Sequence, residues 1–154
     1  MSGECRVRVA VAEDLEAVLG IAGVCAEAPR WGEGVWRELL AGEGGVARAV
    51  FVAEMGGDVA GFVVVSCVKD VAEIESVAVL PAFRRMGLGR ALCAEAMRWA
   101  RDAGAQAMEL EVRASSEGAL ALYAGLGFVE QGRRKGYYRE PVDDAVLMSA
   151  RLRG

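Results

Sequence analysis

The chain of 154 residues contains no histidine. That excludes histidine metal ligands and any serine-histidine-aspartate triad. The candidate general bases that remain are a carboxylate, a cysteine, a tyrosine, a lysine or water. A C-x-x-C pair is also missing, since the four cysteines, Cys5, Cys25, Cys67 and Cys93, are widely spaced. They read as small buried hydrophobes in a reducing compartment, not as a disulfide framework or metal site. No apolar run reaches the roughly 18 residues of a membrane-spanning helix. The opening "MSGECRVRVAVAEDLEAV" meets acidic residues too early for a secretory signal. A basic field is lacking too: net charge is −4 and the isoelectric point is near 5.0, which argues against a nucleic-acid binder and fits a basic partner. These absences predict a cytoplasmic protein without a metal, a membrane anchor or direct nucleic-acid contact.

What is present points to one α/β domain over residues 1–154. Hydrophobic residues make up 54% of the chain, enough for a real core and too many for a disordered chain. "CRVRVA" alternates as a strand, and Leu15, Val18, Leu19, Ala22 and Cys25 recur at helical spacing. "PRWGEGVWRELLAG" reads as a loop and a short helix. "ARAVFVAEM" and "VAGFVVVSCV" flank a Gly-Gly turn as a hairpin, and "VAEIESVAV" extends the meander. A helix then runs to Gly104, with Leu88, Leu92, Ala96, Trp99 and Ala103 as its buried stripe. "AMELEVRA" is a strand, Ser115 a candidate cap for the helix "SEGALALYAGL", and "FVEQGRRKGYY" and "DDAVLMSARL" are closing strands. The order is β-α-α-β-β-β-α-β-α-β-β, a mixed sheet of about seven strands with four helices.

The segment "RRMGLGRAL" joins the third strand of the meander to the long helix, with Gly87 and Gly89 around Leu88. A helix start presents unpaired N–H groups and a positive dipole end. Glycines there allow an anion close approach, and Arg84, Arg85 and Arg90 add positive charge. A pyrophosphate suits such a turn, although a glycine-rich turn can equally do no more than start a helix. The pattern is neither a dinucleotide fingerprint, since position 92 is leucine, nor a P-loop.

"R-x-x-G-x-G" after "SVAVLP", followed by "ALYAGLGF", resembles the GNAT acetyltransferase superfamily across nearly the whole chain. "VAVLPAFRRMGLGRAL", "LEVRASSEGALALYAGLGF" and "RRKGYY" resemble, more narrowly, the bacterial RimI family, which acetylates the N-terminal alanine of a small-subunit ribosomal protein. The resemblance implies acetyl-CoA as cosubstrate. It implies that the turn Arg84, Arg85, Met86, Gly87, Leu88, Gly89 and Arg90 binds the pyrophosphate. The backbone of Val77, Ala78 and Val79 would hold the pantetheine and thioester, with Ser116 touching the coenzyme. Arg84 and Met86 stand where the family has glutamine and arginine, Ser116 where it has asparagine, and Gly118 where it has alanine.

The resemblance also implies Tyr123 as the acid beside the coenzyme sulfur, a position where the ring can equally pack with Ala119, Leu122 and Leu126. For the base there are two rivals. Glu111 shares a strand face with Glu109 and Arg113 and is selected by the narrower resemblance. Glu73 shares a face with Glu75 and aligns with the catalytic glutamate of a histone-acetylating branch of the superfamily. Trp31 and Trp36 are candidates for one wall of the acceptor groove, with Glu27 and Glu33 meeting a basic peptide, although two tryptophans can equally pack a short helix onto the sheet. Glu73 is a further groove candidate, and the resemblance implies that Tyr138 or Tyr137 lines the groove. The implied partner is the N-terminus of a basic ribosomal protein. Two rival functions stand beside it: acetylation of a small amine or lysine side chain, and a catalytically silent acyl-CoA-binding regulatory module.

Overall fold

The computed structural model describes residues 4–25, 28, 31–42 and 47–152. Glu27 lies outside them. Seven strands form one sheet: β1 Cys5–Val9, β2 Ala47–Met55, β3 Asp58–Val68, β4 Val71–Val79, β5 Ala107–Arg113, β6 Val129–Arg139 and β7 Val142–Arg151. Their spatial order is β1-β2-β3-β4-β5-β7-β6. All neighbours are antiparallel except β4 and β5, which run parallel. The parallel pair requires a crossover, and the connecting helix is α3, Leu88–Asp102. Helices α1 (Leu15–Val24), α2 (Glu33–Leu40) and α4 (Glu117–Gly125) complete the expected order.

The two sheet faces carry two separate cores. On one, Phe51, Val63, Val65, Ala72, Met108 and Leu110 meet Leu88, Leu92 and Ala96 of α3. On the other, Val50, Val52, Phe62, Val64 and Ala78 meet Val18 and Ile21 of α1 and Trp36 and Leu39 of α2. Full burial of one such side chain, Leu92 for example, stabilises by about 2 kcal/mol. The near-continuous apolar run of β3 follows from its burial on both faces. Gly61 of β3 has no room for a side chain, because a Cβ there would sit 2.8 Å from the Ala78 carbonyl oxygen.

Turn chemistry explains the boundaries. Gly56 and Gly57 both take positive φ, 62° and 91°, as a tight hairpin turn between β2 and β3 demands. Gly104 and Gly127 take φ of 96° and 98° just past α3 and α4. Each closes its helix with the paired backbone bonds of a left-handed C-terminal cap, Ala105 N–H to Ala100 and Phe128 N–H to Tyr123.

Three expectations are corrected. Ser115 does not cap α4; its hydroxyl donates to Asp143 Oδ2 at 2.6 Å, and Ser116 occupies the cap position. The buried stripe of α3 runs through Leu88, Leu92, Cys93, Ala96, Met97 and Ala100, while Ala103 is exposed. The 3.6-residue period carries the stripe to position 100, not 103. Cys5 is exposed on edge strand β1, unlike the three buried cysteines. Burial pushes the Cys93 thiol up to about 12, so it is an inert core residue.

Candidate active site

The site begins where β4 and β5 stop pairing. Their register comprises Val71 with Ala107, Ala72 with Met108 and Glu73 with Glu109. Immediately afterwards β4 bulges: Val65 faces Ile74 and Val64 faces Ser76, so Glu75 is the extra residue. A bulge bends its strand and raises the local twist. The strands part, and a cleft of ≈ 1240 Å³ opens between them, larger than the roughly 300–1,000 Å³ of a common small-molecule pocket. Its walls are Ile74 to Val79 of β4, Leu110 to Arg113 of β5, the turn and first residues of α3, the start of α4 through Tyr123, Ala28, and Tyr138 with Glu140.

At one end lies the start of α3. Gly87 occupies the cap position in the left-handed conformation, φ 85°, and makes no side-chain cap bond. The first helical N–H groups therefore point outward, beside Arg84, Arg85 and Arg90, which line the cleft with Gly87, Leu88 and Gly89. Gly89 needs no positive φ; a Cβ there would touch Leu122 Cδ2 at 3.4 Å. Arg84 braces the end of β4, its Nε donating to the Val79 carbonyl at 3.0 Å with Cys25 Sγ 3.8 Å from Nη2. Met86 faces away: it is exposed and absent from the cleft wall. An uncapped helix start flanked by glycines and arginines suits a pyrophosphate.

Tyr123, 6% exposed, lines the same cleft. The α4 cap fixes it, since the bond from Phe128 N–H to the Tyr123 carbonyl sets the two rings edge to face at 5.8 Å. Ala119, Leu122 and Leu126 pack against the same core, so the residue both packs and lines the cleft.

The alternation of β5 sends Met108, Leu110 and Val112 into the core and leaves Glu109 and Glu111 exposed. Glu111 lines the cleft, with Arg134 Nη2 4.0 Å from its carboxylate. Glu73 faces the same side but is not part of the cleft wall. Its carboxyl is held above the ordinary range, first by burial and then by Glu75, Glu111 and Glu109. Glu75 is neutralised by a two-pronged pair with Arg48 of β2. The Arg48 guanidinium in turn lies 5.9 Å from the Trp31 ring. Trp31 is half-buried beside this pair but does not line the cleft. Trp36 is wholly buried against Phe62 and forms core rather than groove wall.

Tyr138 lines the cleft, whereas Tyr137 does not. Two residues were not singled out by sequence reasoning. Arg113 stacks its guanidinium 4.2 Å from the Tyr138 ring and donates to the carbonyls of Pro141 and Glu140, fixing the β6–β7 turn against β5. Burial, followed by Glu111, raises the Tyr138 phenol above its usual value, so it stays protonated. Ser76 is the other, and the bulge that brings it into the cleft leaves no trace in a simple two-residue alternation.

This architecture has close relatives. A candidate ribosomal-protein-bS18-alanine N-acetyltransferase of Bacillus subtilis is 32% identical over 148 residues, 96% of either chain. The bS18-alanine N-acetyltransferase of Escherichia coli is 38% identical over 101 residues, 64% of this chain and 68% of that protein. The crystal structure of the Escherichia coli ribosomal-protein-S18-alanine N-acetyltransferase superposes with a TM-score of 0.84 at 31% identity, covering 98% of this chain and 96% of that one. The family model for the acetyltransferase (GNAT) family matches residues 16–128. That span takes in the parting strands, the glycine turn and Tyr123, and the chain belongs to the GNAT acetyltransferase family.

Proposed function

We propose that this chain acetylates the α-amine of an N-terminal alanine, on a basic small-subunit ribosomal protein in the cytoplasm, with acetyl-CoA as donor. The observation that carries the reading is the single cleft lined together by the uncapped start of α3, Tyr123, Glu111 and Tyr138. One end suits an anion and the other suits an amine. The two relatives named for bS18-alanine acetylation support the choice of acceptor.

In this reading the backbone N–H groups at Gly87 to Arg90 hold the donor's pyrophosphate, with Arg85 and Arg90 nearby and Ser116 at the start of α4. The Val77 to Val79 backbone aligns its acyl arm. The amine nitrogen attacks the thioester carbonyl; the C–N bond forms and the C–S bond breaks. Glu111 takes the proton leaving nitrogen, directly or through one water, and the Tyr123 phenol protonates the departing thiolate. Glu73, outside the cleft wall, is the rival base. An α-amine of pKa about 7.8 is roughly one-quarter neutral near pH 7.4, against about one part in a thousand for lysine. A carboxylate base therefore suits an α-amine. Glu73, Glu109 and Glu111 on one face favour basic residues after the alanine, with Trp31 and Tyr138 flanking the approach.

The test is acetyl transfer to a peptide of the form Ala-Arg-Tyr-Phe, with the product located by mass spectrometry. The α-amine should be modified faster than the lysines of a blocked peptide, and added salt should raise KM by screening the carboxylates. Acetylation confined to lysine or to a small free amine would overturn the N-terminal reading.

A further inference from the structure

Two buried side-chain polar atoms lack a hydrogen-bond partner among the described residues, Trp36 Nε1 and Ser76 Oγ. A buried polar group without a partner opposes folding and calls for a compensating role. Trp36 lies in the core away from the cleft. Ser76, 7% exposed, lines it.

The register shows what Ser76 faces. Glu73 lies opposite Ser66 on β3, and Ser76 lies opposite Val64, two residues along. The bulge at Glu75 thus makes Glu73 and Ser76 successive residues on the same sheet face. Across the parallel pair, Glu73 is matched with Glu109, and the next residue of β5 on that face is Glu111. Both Ser76 and Glu111 line the cleft, and the same register extended past its last pair would bring them opposite one another. Among the described residues, the β4–β5 ladder has already ended there.

Resting on the acetyl-transfer reading above, we infer that Ser76 Oγ and the Glu111 carboxylate together hold the acceptor nitrogen, one N–H to each strand. A neutral primary amine has two N–H bonds and one lone pair. With both N–H bonds engaged, the lone pair is left to face the thioester carbonyl. The serine hydroxyl accepts the hydrogen that stays on nitrogen, and Glu111 accepts the one that leaves. Ser76 is therefore a specificity residue for primary over secondary amines. A peptide beginning with N-methylalanine has one N–H to give, and Glu111 requires it.

The experiment compares wild type and Ser76→Ala on Ala-Arg-Tyr-Phe, its N-methylalanine counterpart and a lysine peptide, alongside acetyl-CoA affinity and melting temperature. We expect Ser76→Ala to lower kcat/KM for the primary amine about tenfold, the scale of one net hydrogen bond. It should leave the N-methyl peptide unaffected, so that wild-type discrimination between the two disappears. Melting temperature should hold or rise and acetyl-CoA affinity should stay within twofold. Equal penalties on both peptides, no penalty on the primary amine, or a lower melting temperature with lost acetyl-CoA affinity would overturn the assignment. The same selective penalty on lysine, with the α-amine unmodified, would overturn the N-terminal reading and keep this one. A wild type that acetylates none of these amines overturns both.

Discussion

Tyr123 and Phe128 are tied twice, through a backbone hydrogen bond and an edge-to-face ring contact. Both of these ties survive an exchange of tyrosine for phenylalanine. Tyr123→Phe should therefore stay folded and keep its acetyl-CoA affinity, while lowering turnover on the order of 10²-fold or more. Thermal melts beside single-turnover rates check this. A variant that turns over normally would relieve Tyr123 of the acid role.

The two candidate bases separate by pH. Glu73 has its carboxyl raised by burial and neighbouring carboxylates, so its ionised form opposes folding. That penalty is complete above the folded pKa and vanishes as pH falls below the lower, unfolded one. Glu73→Gln should accordingly raise the melting temperature at pH 7, with the gain shrinking toward pH 4. It should cost less activity than Glu111→Gln, whose loss should be partly rescued at higher pH as the amine deprotonates itself. A larger activity loss in Glu73→Gln would move the base to β4.

Gly87 and Gly89 answer different demands. Gly87 has φ of 85°, so any side chain there strains the backbone whatever the ligand does. Gly89 sits unstrained in the first turn of α3, where alanine favours the helix by up to about 1 kcal/mol. Gly89→Ala should hold or raise the melting temperature of the free protein. It should still reduce the stabilisation produced by acetyl-CoA, because the added methyl crowds a bound pyrophosphate. Unchanged affinity in thermal-shift titrations would remove the phosphate assignment from this turn.

Far from the cleft, Asp14 is buried, with its carboxylate bonded to Arg8 at 2.8 and 2.9 Å and to the Val11 N–H at 2.7 Å. Arg8, foremost, holds its pKa below the ordinary 3.8. A carboxyl depressed in this way contributes stability that is complete above its unfolded pKa and lost as pH falls through the folded one. Asp14→Asn should cost about 2 kcal/mol at pH 7. The gap to wild type should narrow below pH 4, as urea unfolding at both pH values would show.

Much of this was legible in the residues themselves. Glycine pairs and helix-stop glycines announced Gly56, Gly57, Gly104 and Gly127, and the alternation in "AMELEVRA" separated Glu111 from the core. Ser76 was not legible, because a bulge changes which face each later residue occupies and the apolar pattern of "VAEIESVAV" is silent about it. Arg113 was hidden for another reason. Its partners, Tyr138 and the carbonyls of Glu140 and Pro141, lie some 27 residues away in sequence, brought near by β7 pairing with β5. The tryptophan pair shows the limit of composition: Trp31 and Trp36 are five positions apart, yet Trp36 is core and Trp31 half-exposed.

The ladder between β4 and β5 ends after Glu73 and Glu109, leaving the β4 main chain past that point with a gap for a neighbour. A donor arm read there by peptide groups is recognised by chemistry that every residue but proline carries. Exchanges among β-branched residues at Val77 or Val79 would therefore leave donor choice untouched, while a proline would erase a contact outright. Under the proposed function, the two substrates would thus fall under different rules of change. On that reading, the donor would be written into the course of the backbone, and the acceptor into a few side chains that can be replaced one at a time.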